Sequence, residues 1–173
     1  MKQLSFFAAP SKESSPKPSL DVTYWKMFID GAARNNPGPA GAGIYILKND
    51  RMHARHAFFL GRKTNNQAEY LALVIGLYYL KKQLQGSSEA LLIVSDSQLL
   101  VRQIKGHYKV RNPELKNLHA LAHILLQDVT YDVAHVLRED NTQADEQANK
   151  GIDKKITLPH DIADWLRSHD ISI

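Results

Sequence analysis

The 173-residue sequence contains no cysteine. That absence excludes disulfides, thiolate zinc sites and a cysteine nucleophile, and it fits a reducing compartment. Long hydrophobic runs are also missing, and no apolar stretch reaches membrane-spanning length. The one apolar patch near the start, Leu4 to Pro10, is too brief and too poorly flanked for a secretory signal. A cytoplasmic monomer without membrane contact is therefore expected. Neither sign of charge dominates. The formal net charge of +4 permits a polyanionic partner without identifying one. Local clusters say more: Arg62-Lys63 and the stretch Lys105 to Lys116 are basic, whereas Lys81-Lys82 reads as solvated surface. There is no internal repeat.

Residues 1–22 read as a flexible tail, because Ser11 to Ser19 has no apolar period and is rich in Ser, Pro and Lys. Residues 23–152 form the expected domain, and 153–173 a loop with a short amphipathic helix around Ile162, Trp165 and Leu166. Within the domain, Tyr24–Ile29, Gly41–Leu47 and Met52–Leu60 read as strands joined by tight turns, the first being Arg34 to Pro39. Helical spacing of Leu71, Val74, Ile75 and Tyr78 predicts a helix over about 67–84. Ala90–Ser95 is continuously apolar, as in a strand buried on both faces. A short helix over about 97–105, a basic loop, a helix opened by Pro113, a strand over 131–137 and a helix from Thr142 complete the order βββαβααβα. That order predicts an α/β fold: a mixed five-stranded sheet, three antiparallel strands followed by two parallel ones, with helices on its faces.

Four carboxylates stand where strands end or helices begin: Asp30, Glu69, Asp96 and Asp145. Each has an ordinary explanation on its own. Asp30-Gly31 suits a turn, Glu69 could close a capping box with Asn66, Asp96 could cap a helix, and Asp145 could answer a helix dipole. Together they suggest something else. The topology makes neighbours of the end of the first strand, the start of the long helix and the end of the fourth strand. Carboxylates gathered at one end of a sheet repel each other unless a cation sits among them, and hard cations such as Mg²⁺ take oxygen ligands. The pattern points to a metal-dependent enzyme.

The motifs around these acids resemble type 1 ribonuclease H. The segments are Asp30-Gly31 through Asn36-Pro37-Gly38, Arg62-Lys63-Thr64-Asn65-Asn66-Gln67-Ala68-Glu69, Ser95-Asp96-Ser97, and His135-Val136 through Asn141, Ala144, Asp145 and Ala148-Asn149. The resemblance covers about residues 24–151. It implies a ribonuclease H-like fold and hydrolysis of the RNA strand of RNA–DNA hybrids, leaving 5′-phosphate and 3′-hydroxyl ends. It also implies that Asp30, Glu69, Asp96 and Asp145 are catalytic and hold two Mg²⁺ ions, with Mn²⁺ as a substitute. Two such ions activate the attacking water and stabilise the leaving oxygen. Glu69 would also touch a ribose hydroxyl beside the cut.

For the substrate, the 2′-hydroxyl distinguishes RNA and is reached through a shallow minor groove. Gly31, Asn36, Asn65 and Gln67 are the candidate contacts on that strand. Arg62 and Thr64 match a family pocket that grips one phosphate of the DNA strand. The sequence departs from many members in two places. Gly106 to Pro113 is short and lacks the tryptophan of their basic protrusion, leaving Lys105, His107, Lys109 and Arg111 to supply charge. The loop Arg138-Glu139-Asp140-Asn141 has no histidine, which implies a slower enzyme, with Glu139 near the metals; His135 is assigned a structural role. In the tail, Gln3-Leu4-Ser5-Phe6-Phe7 is similar to the pentapeptide that docks bacterial proteins on the sliding clamp. The competing readings are a non-catalytic module binding hybrid or double-stranded RNA, and a related nuclease for DNA junctions or transposon ends.

Overall fold

The computed structural model describes residues 23–173. The proposed tail and its clamp-like peptide, Gln3 to Phe7, lie outside the described residues. The elements are β1 (Tyr24–Ala33), β2 (Gly38–Lys48), β3 (Arg51–Lys63), α1 (Asn65–Leu84), β4 (Ala90–Ser95), α2 (Gln98–Ile104), α3 (Pro113–Leu125), β5 (Thr130–His135), α4 (Thr142–Lys154) and α5 (His160–Ser168). The strand order is β3-β2-β1-β4-β5. β1 and β3 each pair antiparallel with β2, and β4 runs parallel to both β1 and β5. The expected mixed sheet is present.

The first three strands are longer than their propensities predict. β1 continues four residues past Ile29, because Asp30 to Ala33 stay paired with Gly43 to Ala40. Ala and Gly are poor strand formers, so tertiary pairing decides here. The β2–β3 connection is only Asn49-Asp50, both with positive φ, the conformation that matches hairpin twist. β5 ends at His135, two residues early, although the Val136 amide still donates to the Ser95 carbonyl at 3.1 Å.

Glycines set how the helices approach the sheet. A Cβ on Gly31 would strike the backbone of Ala68 and Glu69 in α1, and one on Gly41 or Gly43 would strike α4 at Ala148 or Ala144. Gly41 and Gly43 pair with Ala32 and Asp30. Directly paired residues share a face and neighbours alternate, so α1 covers the Gly31 face and α4 the Asp30 face. α1 is buried nearly all round, from Ala68 to Leu77 and at Leu80 and Leu84, because α3 packs on its far side. Truncating a leucine at such a position costs about 2–5 kcal/mol. The C-terminal segment joins the same core through Ile162, Leu166 and Ile171, and Trp165 lies 4.8 Å from Tyr78, centroid to centroid. Among the described residues, no helix is long and apolar enough to cross a membrane.

Candidate active site

Three of the four carboxylates converge. Asp30 lies in β1, Glu69 in the first turns of α1, and Asp96 directly after β4. One oxygen from each falls within 4.8 Å of the others. Asp30 and Glu69 are only 5% and 8% exposed, and their Oδ2 and Oε2 atoms have no hydrogen-bond partner. Burial, then the charges of Asp96 and Asp145, raise the Asp30 carboxyl from 3.8 to about 7. Burial, then Asp30 and Asp96, hold Glu69 well above the usual carboxylate range. The charge of Arg138 and the nearby Gly31 amide oppose both shifts.

The fourth carboxylate is held apart from this trio. Asp145 lies in the first turn of α4, where it raises the Asp30 carboxyl, but its own oxygens are engaged elsewhere. Arg138 donates to Oδ1 from Nη2 at 2.6 Å and from Nε at 3.2 Å, and Asn149 Nδ2 donates to Oδ2 at 3.0 Å. The Arg138 side chain is 75% exposed, so its bonds to Asp145 rather than packing hold it in place. Glu139, expected near the metals, is exposed on the Arg138–Asp140 turn. Arg138 and Asn141 are the residues of that loop that touch site acids, Asp145 and Asp96 respectively.

Several simpler roles can be separated from the site. Thr64 and Gln67 form the capping box of α1: the Gln67 amide donates to Thr64 Oγ1 at 3.2 Å and the Thr64 amide to Gln67 Oε1 at 2.8 Å. Glu69 is therefore not a capping arm. Ser97, not Asp96, caps α2 through the Leu100 amide. Asp96 is positioned by His135, whose Nε2 lies 3.1 Å from its carbonyl, and by Asn141, whose Nδ2 donates to its Oδ1 at 3.2 Å. Asn141 also donates to the Ile29 carbonyl at 2.9 Å. It stands at the N-cap of α4 yet makes no capping bond. Its amide forms a buried bridge between β1 and Asp96, a contact between elements that sequence position alone does not signal.

The candidate substrate residues lie on the adjoining turns. Asn36 Oδ1 accepts from the Asn65 amide at 3.0 Å, and Asn65 Oδ1 accepts from the Ala33 amide at 2.9 Å. These two asparagines lock the β1–β2 turn to the start of α1 through their oxygens, leaving their amide N–H groups as donors. Gln67 Nε2 donates to Glu114 on α3. Arg62, Thr64 and Gln67 line a cleft of about 440 Å³ with Pro37, Lys63 and Glu114. The basic loop is braced by Arg102, whose guanidinium donates to the Tyr108 hydroxyl at 2.7 Å.

Known proteins resemble this chain in sequence and fold. The sequence profile of the reverse transcriptase-like family matches residues 28–151. A ribonuclease H of Coxiella burnetii is 31% identical over 153 residues, covering 80% of this chain and 94% of that protein. Ribonuclease HI of Halobacterium salinarum is 34% identical over 128 residues, covering 73% of this chain and 63% of its own. Its crystal structure superposes with a TM-score of 0.70 over 76% of this chain and 98% of that one. LC11-RNase H1, solved in complex with an RNA/DNA hybrid, superposes with a TM-score of 0.72 at 35% identity, covering 75% and 97% of the two chains. A bifunctional protein of Mycobacterium tuberculosis is 39% identical over 129 residues, 72% of this chain; the match spans about one third of that relative's length. The chain belongs to the type 1 ribonuclease H family.

Proposed function

We propose that the protein is an endoribonuclease that hydrolyses the RNA strand of RNA–DNA hybrids with divalent metal ions, Mg²⁺ or Mn²⁺. The observation that carries this is the trio of Asp30, Glu69 and Asp96, with one oxygen each inside 4.8 Å, and with Oδ2 of buried Asp30 and Oε2 of buried Glu69 lacking any hydrogen-bond partner. An all-oxygen donor set suits hard cations. Family membership supports the same chemistry, as does the relative solved with hybrid.

Asp30, Glu69 and Asp96 would hold the metal, and Asp145 would complete the set once released from Arg138. Bound there, the ions supply a more acidic water and charge stabilisation at the leaving oxygen. The protein's own part is positional. Asn141 at the start of α4 ties Asp96 to the Ile29 carbonyl of β1, and His135 holds the Asp96 carbonyl from β5. Water attacks phosphorus and the P–O3′ bond breaks, leaving a 3′-hydroxyl and a 5′-phosphate. The free N–H donors of Asn36 and Asn65, with Gly31 and Gln67, would read 2′-hydroxyls at the rim. Arg62 and Thr64 would hold a DNA-strand phosphate in the cleft, Arg by charge-assisted bonds.

The test is cleavage of end-labelled hybrid, RNA duplex and DNA duplex in Mg²⁺, Mn²⁺ and EDTA. Hybrid alone should be cut, only with metal, and the Asp96→Asn variant should be inactive while folded. Intact hybrid in both metals, or DNA duplex cut at a comparable rate, would overturn the assignment.

A further inference from the structure

The geometry points to a second metal site, for a borderline transition ion such as Zn²⁺, Ni²⁺ or Co²⁺, formed by His119 and His123 on α3. The two residues are four apart on one helix and so project from the same face. Their Nε2 atoms face each other at 3.1 Å, with ring centroids 4.4 Å apart and planes at 66°. That separation is the bite a chelated ion needs. With metal–nitrogen bonds of about 2.0–2.1 Å, two imidazoles on one ion stand about 2.9 Å apart at a right angle and about 3.4 Å apart at the tetrahedral angle. The observed spacing falls between the two, so an ion enters with shifts of tenths of an ångström.

The surroundings favour a ligand pair over two solvated side chains. Both histidines are half-buried. The Tyr70 ring meets His119 edge-on at 6.3 Å, and the His119 Nε2, 3.3 Å from the Gln103 carbonyl oxygen, exchanges that contact for the ion on chelation. Gln103 is buried and accepts from the Tyr70 hydroxyl at 2.8 Å. The His119 ring is thus held against α1 through Tyr70, which limits the rotamer freedom it loses on chelation. With two protein nitrogens, water would fill the remaining positions. The site differs in kind from the oxygen cluster at Asp30, Glu69 and Asp96, because imidazole nitrogen suits Zn²⁺, Ni²⁺ and Co²⁺ while carboxylates suit Mg²⁺ and Mn²⁺. The same geometry in the ion-free protein is satisfied by one imidazole N–H donating to the other.

Calorimetric titration of Ni²⁺ into the full chain, with Mg²⁺ in large excess to saturate the carboxylates, tests the proposal. One equivalent of Ni²⁺ should bind. His119→Gln and His123→Gln should each weaken it at least tenfold, and the double variant should lose little more, since a single imidazole no longer chelates. Asp96→Asn should leave the binding unchanged. The Ni²⁺-induced rise in melting temperature should vanish in the His variants, whose folding circular dichroism would verify. Absence of Ni²⁺ binding, equal affinity in His123→Gln, or loss of binding in Asp96→Asn would overturn it.

Discussion

Replacing Asp30 with asparagine should stabilise the metal-free protein, and by an amount that depends on pH. Asp30 is 5% exposed, and burial followed by the charges of Asp96 and Asp145 raises its carboxyl from 3.8 to about 7. A folded-state pKa above the unfolded value means the native state holds its proton more tightly. The stability linked to that proton is full below pH 3.8 and is lost as pH rises through about 7. At 1.36 kcal/mol per pH unit, the gap between the two values amounts to about 4 kcal/mol. The Asp30→Asn variant has no such loss. In EDTA at pH 8.5 it should exceed the parent by about 4 kcal/mol, or about 8–16 °C in melting temperature for a chain of this size. At pH 4.5 the advantage should shrink to about 1 kcal/mol, because little of the window has been crossed. Urea unfolding followed by circular dichroism at the two pH values measures both. A gain at pH 8.5 no larger than that at pH 4.5, or a less stable variant, would refute the claim that Asp30 is held in charge conflict. Added Mg²⁺ should narrow the difference, since the parent alone gains the ion's full set of ligands.

Arg138→Gln should raise Mg²⁺ affinity, measured by calorimetry, because Arg138 is a cation already bound to Asp145; the pair is exposed on the Arg side, so the gain should not exceed about 1 kcal/mol, or fivefold. Unchanged affinity would mean that Asp145 does not ligate. Thr64→Ala should cost about 1 kcal/mol of stability by opening the capping box. If Thr64 also grips a phosphate, hybrid binding by the folded variant should fall as well, read by fluorescence anisotropy. Gly43→Ala should destabilise by about 1–3 kcal/mol or more in thermal unfolding, because the added methyl meets the Ala144 carbonyl of α4. A neutral result would show that α4 can withdraw from the sheet.

The strand–helix order and sheet topology were legible because they rest on local signals: apolar runs, helical spacing, and turn residues such as Asn49-Asp50. The pairing of β1 beyond Ile29 was not, since Asp30 to Ala33 carry no strand preference and are held by β2. The four acids stood out through their motifs, but their unequal states did not. Nothing in the segment Arg138 to Asp145 says that a guanidinium reaches seven residues along to take the aspartate, because that contact depends on how the Arg138–Asp140 turn aims the side chain. Asn141 was hidden for a similar reason. A residue at a helix start reads as a cap, and only the packing of α4 against β1 sends its amide to Ile29 and Asp96 instead.

Why the fold tolerates the acidic cluster follows from where the carboxylates sit. β1 is the strand at which pairing changes from antiparallel to parallel, and Asp96 lies just past the carboxyl end of its parallel neighbour β4. Clefts at the carboxyl ends of strands are where α/β sheets bind ligands. Here the cleft is narrowed from both faces by glycine: Gly31 lets the start of α1 bring Glu69 against β1, and Gly43 lets α4 bring Asp145 toward the opposite face. The charge conflict is thus confined to one end of β1, while the rest of that strand anchors the core through Trp25, Met27 and Ile29. A cation placed among the acids relieves repulsion at the one point where the backbone is pinned on both sides. Binding energy can then go into drawing Asp145 away from Arg138 rather than into rebuilding the sheet.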